Sequence, residues 1–170
     1  MKTIPSRTHT ATLWVARGLI GLVTFFNLQA AFLFLFSPQV YAPGFELSGA
    51  AGEAMVQGMG LLFVMWNVPY VFALLDPIRN RHSLLEAVIM QAIGVVGETA
   101  LLWALPGAHP LIHASVLRFI VFDGSGLGFL LVAWWVTRHI RALLKHYGEI
   151  HESPQPKNKS LIIQMLFRPT

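Results

Sequence analysis

The sequence predicts an all-α fold, a four-helix transmembrane bundle with both termini cytoplasmic and a basic helical extension and tail at the C-terminus. Three observations lead there. Apolar residues make up 55% of the 170 positions and charged residues only 12%, about half the usual charged share. Four apolar runs are each long enough to cross a bilayer at about 1.5 Å per residue. Lys and Arg fall almost entirely on one side of the alternating loops those runs define.

Each element has its own signature along the chain. Met1–Thr10 is polar and basic. The first span covers residues 12–36, broken by Arg17, Asn27 and Gln29, and Ser37-Pro38 ends it. It is too long for a signal-peptide core and lacks a small-x-small cleavage site at its end. Residues 39–52 read as a Pro-, Gly- and Ser-rich loop. The second span, 54–75, carries Gln57, Asn67 and Pro69, and Asp76-Pro77 closes it. A short basic loop leads to the third span, 84–105, with Glu86, Gln91 and Glu98. Pro106-Gly107-Ala108-His109-Pro110 is a tight turn into the fourth span, 111–137, with Arg118 and Asp123. Residues 1–145 are thus the membrane domain. Residues 146–170 are a cytoplasmic linker and a short apolar tail, Leu161–Phe167, read as a surface-lying end or a docking peptide for other membrane-complex subunits. Small residues, Gly124-x-x-x-Gly128, Ala54-x-x-x-Gly58, Gly18 with Gly21 and Gly94 with Gly97, suggest close helix packing.

Orientation comes from charge. Of 12 Lys and Arg, 11 lie at the N-terminus, in the second loop or after the fourth span, and the other two loops have none. The positive-inside rule places both termini inside a multi-pass protein of the inner (plasma) membrane. Arg118 is the exception. The net charge of +4 follows this topology and gives no reason to expect nucleic acid.

Helical rise sorts the buried polar groups by depth. Glu98, Arg118 and Gln29 lie about 10 Å below the outer boundary, with Asn27 and Gln57 near them. This outer-leaflet cluster is a candidate binding site, and Glu98–Arg118 is its expected ion pair. Asp123 lies five residues and about 140° from Arg118. With Gln91 and Asn67 it forms a deeper layer, either as interhelical glue or as a proton carrier. Arg17 with Glu86 or Asp76 is expected to pair at the cytoplasmic interface.

The chain has no cysteine, which removes disulfides, thiol catalysis and iron–sulfur clusters. Its seven histidines do not face one another from different spans at one depth, as a b-type haem needs. No metal site, phosphate loop, dinucleotide fingerprint or nucleophile elbow is present. No catalytic residue is assigned.

In layout the chain resembles the DoxX-like small bacterial four-helix membrane proteins: length, four spans, termini inside, and a fourth span with Arg118 and Asp123-Gly124-Ser125-Gly126. The resemblance covers roughly Thr12 to Arg141 and carries over no site residue. It implies an association with quinone-linked oxidation and respiratory assemblies. The expectation is an accessory subunit or quinone- or lipid-binding module of an energy-transducing complex, with a bound quinone or lipid as the only candidate cofactor. A proton-coupled transporter using Glu98, Arg118 and Asp123, and an intramembrane lipid- or isoprenoid-modifying enzyme, are the alternatives.

Overall fold

The computed structural model describes residues 6–151, with side chains described over 10–143. The tail 161–167, a docking peptide in one of its two sequence readings, lies outside them. Helix α1 spans Ser6–Phe36, α2 is the short Pro38–Tyr41, and a 3₁₀ turn follows at Ala42–Phe45. Helix α3 is Gly49–Leu75, α4 Arg81–Ala104 and α5 Pro110–His151. No strand occurs among the described residues. The four long helices hold stretches long and apolar enough to cross a membrane: Thr10–Phe36, Gly49–Leu75, Arg81–Ala104 and Pro110–Leu143. Residues 139–151 belong to a separate compact unit, and the four-helix core lies in the unit that ends at Arg138.

Span boundaries differ from the expected ones most at the first loop and at the end of the fourth span, where the apolar stretch runs to Leu143. Pro38 starts a helical turn where its fixed φ and missing N–H suit a first-turn position. Helix α3 begins at Gly49, because Ala50, Ala51 and Ala54 favour helix more than the loop-like composition of residues 39–52 suggests.

The bilayer-facing surface is apolar, with Trp103 84% and Phe36 77% exposed. In water such a surface would aggregate; in lipid it is the ordinary exterior. Two clusters lie inside. One joins Ile20, Leu84 and Leu130 with Ala16, Ala73, Ala87 and Ala133, where small side chains let the four helices approach closely. The other, toward the end carrying residues 37–48, joins Phe34, Ala42 and Val56 with Phe45, Phe63 and Phe119 around them. Phe34 touches four aromatic rings at centroid distances from 5.1 to 6.2 Å.

Helix α1 packs on α3 at Gly60, where an added Cβ would lie 2.8 Å from the Ala31 carbonyl oxygen and 3.0 Å from the Leu35 amide nitrogen. The expected small-residue pairs behave unevenly. Gly21 meets Leu74, and Gly94 meets Asp123, but Cβ atoms at Gly18, Gly58, Gly97, Gly124 and Gly128 would meet nothing within 4 Å. In the fourth span the close approach belongs to Gly126, beside Gln91 and Val23.

Arg17 does not form the expected acid pair among the described residues. Its Nη2 donates to the Leu75 carbonyl at 2.6 Å, and its guanidinium lies 5.3 Å from the Trp14 ring centroid. Leu75 ends α3, so a cation there satisfies an orphan carbonyl and complements the negative helix terminus. Asn80 serves the same end through Phe72 O at 2.7 Å. Asp76 instead accepts from the Ile78 and Arg79 amides at 3.0 and 2.9 Å, turning the chain into α4.

At the opposite end, Glu46 and His109 tie the two connections together at 2.6 Å. Glu46 also accepts from the Leu111 and Ile112 amides, the orphan donors at the start of α5. Its hydrogen bond to His109 is the main cause holding its carboxyl below the ordinary value. Glu46 has φ of 57°, a left-handed conformation costing about 1–2 kcal/mol for a non-glycine residue, and these partners offset that cost. Ser115 donates to Gly44 O at 2.7 Å beside it.

Candidate functional site

A cavity of about 760 Å³ lies between the two clusters. From α3 it is lined by Met59, Leu62, Phe63, Trp66, Asn67 and Tyr70. Helix α4 contributes Met90, Gln91, Gly94 and Glu98, and α5 contributes Val116, Arg118, Phe119, Phe122 and Asp123. Asn27 from α1 and Phe45 from the 3₁₀ turn also face it. The wall is largely aromatic and aliphatic, and the polar groups are few and convergent, the usual make-up of a small-molecule site.

The polar groups form one directed chain across all four spans. Asn27 hydrogen-bonds the Tyr70 hydroxyl. Tyr70 donates to Gln91 Oε1 at 2.6 Å and also approaches the Ala87 carbonyl at 3.2 Å. Gln91 Nε2 donates to Asp123 Oδ1 at 2.9 Å. Glu98 meets Asp123 from the other side in a carboxyl–carboxyl hydrogen bond. A hydrogen bond between two carboxyls needs a proton on one of them.

Glycines make room for this chain. A Cβ at Gly94 would run into the Asp123 carboxyl, and one at Gly126 would lie 2.6 Å from Gln91 Nε2. Asp123 therefore sits against the bare backbone of α4 at Gly94. Gln91 lies one helical turn below and Glu98 one turn above on the same face.

The expected Glu98–Arg118 pair does not form among the described residues. Helical rise sets the two residues at similar depth, but a helical side chain leans toward its own N-terminus. On antiparallel helices, Glu98 leans inward and Arg118 leans toward the 105–109 turn, so they diverge. Asp123 leans outward toward Glu98, and those two converge. The outer and deeper layers are thereby joined rather than separate.

Of the eight residues singled out by sequence, Asn27, Asn67, Gln91, Glu98, Arg118 and Asp123 line the cavity. Gln29 is exposed and lies outside it. Gln57 is also exposed and donates to Leu35 O at 3.2 Å. Tyr70 is the residue that sequence reasoning missed. Its signal was present: it lies one turn from Asn67 on the same helix face, at a depth where a hydroxyl needs a partner.

Two buried acceptors in the cavity wall have no partner, Asn67 Oδ1 and Glu98 Oε2. Asn67 is 3% exposed and spends its amide on Phe63 O at 2.7 Å. Unmet acceptors at this depth favour a guest that brings a donor. Among the described residues, no group of three or more His, Asp or Glu is arranged to hold a metal ion.

Four long apolar helices mark a multi-pass helical membrane protein, with a largely apolar chamber that holds a chain of polar groups. No family model, curated protein or solved structure matches the chain.

Proposed function

We propose that the chain is a membrane-embedded binding module that holds an amphipathic molecule of the quinone or lipid class in the chamber between its spans. In this reading it serves as a non-catalytic accessory component of an energy-transducing membrane complex. The observation that carries it is the chamber itself: about 760 Å³ of apolar and aromatic wall with unmet acceptors at Asn67 and Glu98. A ring fits among Phe63, Trp66 and Phe119, and a head-group hydroxyl donates to Asn67 Oδ1 or Glu98 Oε2. The charge pattern supports an inner (plasma) membrane setting with both termini inside.

Trp66 in the wall gives the test. Titrating a short-chain quinol into the protein in nanodiscs quenches Trp66 emission, and Trp66→Phe removes that component. Asn67→Leu weakens binding about tenfold, the worth of one buried hydrogen bond. No saturable quenching, together with no quinone or lipid extracted from natively purified protein, overturns the reading.

The directed chain from Asn27 to the Glu98–Asp123 pair favours one alternative, proton-coupled transport. Asp123→Asn then abolishes pH-dependent uptake in proteoliposomes. Uptake unaffected by that change eliminates it.

A further inference from the structure

A second cavity, about 580 Å³, lies on the other side of Arg118. Leu22, Val23 and Phe26 of α1 form one wall, and the α5 face from Leu117 to Phe129 forms the other. Phe122 and Arg118 line this groove and the central chamber alike. Within the groove Arg118 is the one charged group. Ser125 turns its hydroxyl back onto the Val121 carbonyl at 2.7 Å, leaving the floor apolar.

Arg118 is exposed and makes no ion pair among the described residues. The nearby carboxyl of Asp123 is already engaged by Gln91 and Glu98. A guanidinium has no accessible neutral form, so at this depth it needs an anion or a route to the interface. Its lean toward the α5 N-terminus carries the charge toward the nearer membrane face. From Leu117 to Phe129 the groove runs about 18 Å along α5.

We infer that the α1–α5 groove is a binding site for an anionic phospholipid, with its phosphate on Arg118 and one acyl chain laid along Val121, Ser125 and Phe129. The guanidinium offers a planar pair of donors to the phosphate oxygens. The apolar groove distinguishes this site from a simple surface charge, because head and chain are recognised together. It shares Arg118 and Phe122 with the chamber wall but does not rest on a chamber ligand, and it stands whether or not a quinone binds there.

The test reconstitutes the full chain in nanodiscs with equimolar phosphatidylglycerol and phosphatidylcholine, then measures lipid retained after detergent transfer by native mass spectrometry. The parent retains phosphatidylglycerol preferentially. Arg118→Gln lowers that preference about tenfold or more, matching loss of a charge-assisted contact, and Arg118→Lys restores part of it. Val121→Trp fills the groove and lowers retention of both lipids with Arg118 intact. Equal retention of the two lipids by the parent, or an unchanged preference in Arg118→Gln, overturns the inference. Protection by inorganic phosphate as strong as that by phosphatidylglycerol assigns the site to a free anion instead. If Arg118→Gln does not fold, full retention in Val121→Trp overturns it alone.

Discussion

At the scale of single residues, the polar chain depends on atoms that are missing. Asp123 reaches both Gln91 and Glu98 because position 94 has no side chain. Gly94→Ala would put a methyl group into the space of the Asp123 carboxyl. Either the carboxyl shifts and Gln91 loses its acceptor, or α4 and α5 separate. Both outcomes cost about 1–3 kcal/mol, the range for overpacking or an orphaned buried polar group. Gly97→Ala is the control: its Cβ meets nothing within 4 Å, and alanine gains up to about 1 kcal/mol in helix propensity. Thermal unfolding in detergent should show the first variant losing stability and the second unchanged or slightly gaining. Equal melting of the two would mean that the Gly94–Asp123 contact contributes nothing to stability.

At the scale of elements, the sequence was most legible where one physical rule dominates. Bilayer thickness and proline placement located the four spans to within a few residues at most ends. The site was only partly legible. Rise per residue sorted the polar groups by depth, yet depth alone joined Glu98 to Arg118. The lean of side chains along antiparallel helices decided otherwise and joined Glu98 to Asp123. Arg17 is a similar case: its acidic neighbours were visible in sequence, but the end of α3 offered carbonyls that a cation satisfies better. Gln29 and Gln57 group with the cluster by depth but are exposed, which a depth estimate does not resolve. The element scale also yields a pH prediction. Glu46 joins the first connection to the start of α5 and has its carboxyl held below the ordinary value, first by His109. A depressed folded value means this contribution is present above the unfolded value, about 4.3, and lost as pH falls through the folded one. The Tm gap between the parent and Glu46→Gln should therefore be open at pH 6 and close as pH drops below about 4. A gap that widens on acidification would reverse the sign and refute the latch.

At the scale of the whole molecule, the two ends of the bundle differ in kind. One end carries the 37–48 and 105–109 connections, which contain no Lys or Arg and are joined by Glu46–His109. The other carries Arg79 and Arg81 with two arginine–tryptophan pairs, Arg17 over Trp14 at 5.3 Å and Arg138 over Trp134 at 5.2 Å. Tryptophan and arginine together suit a membrane interface, where the ring sits at head-group level and the cation meets phosphate. Short loops with such a bias orient a multi-pass protein with the basic end inside. The chain lends itself to a direct check, because it has no native cysteine and any introduced thiol is the only one present. Gly107→Cys, whose position has open space around it, should react with a membrane-impermeant maleimide in intact cells. His82→Cys, in the short loop that holds Arg79 and Arg81, should react only after the membrane is opened. Labelling of His82→Cys in intact cells with Gly107→Cys protected would invert the topology. It would also move the Arg118 groove to the opposite leaflet, so the lipid that reaches Arg118 would be drawn from the other face.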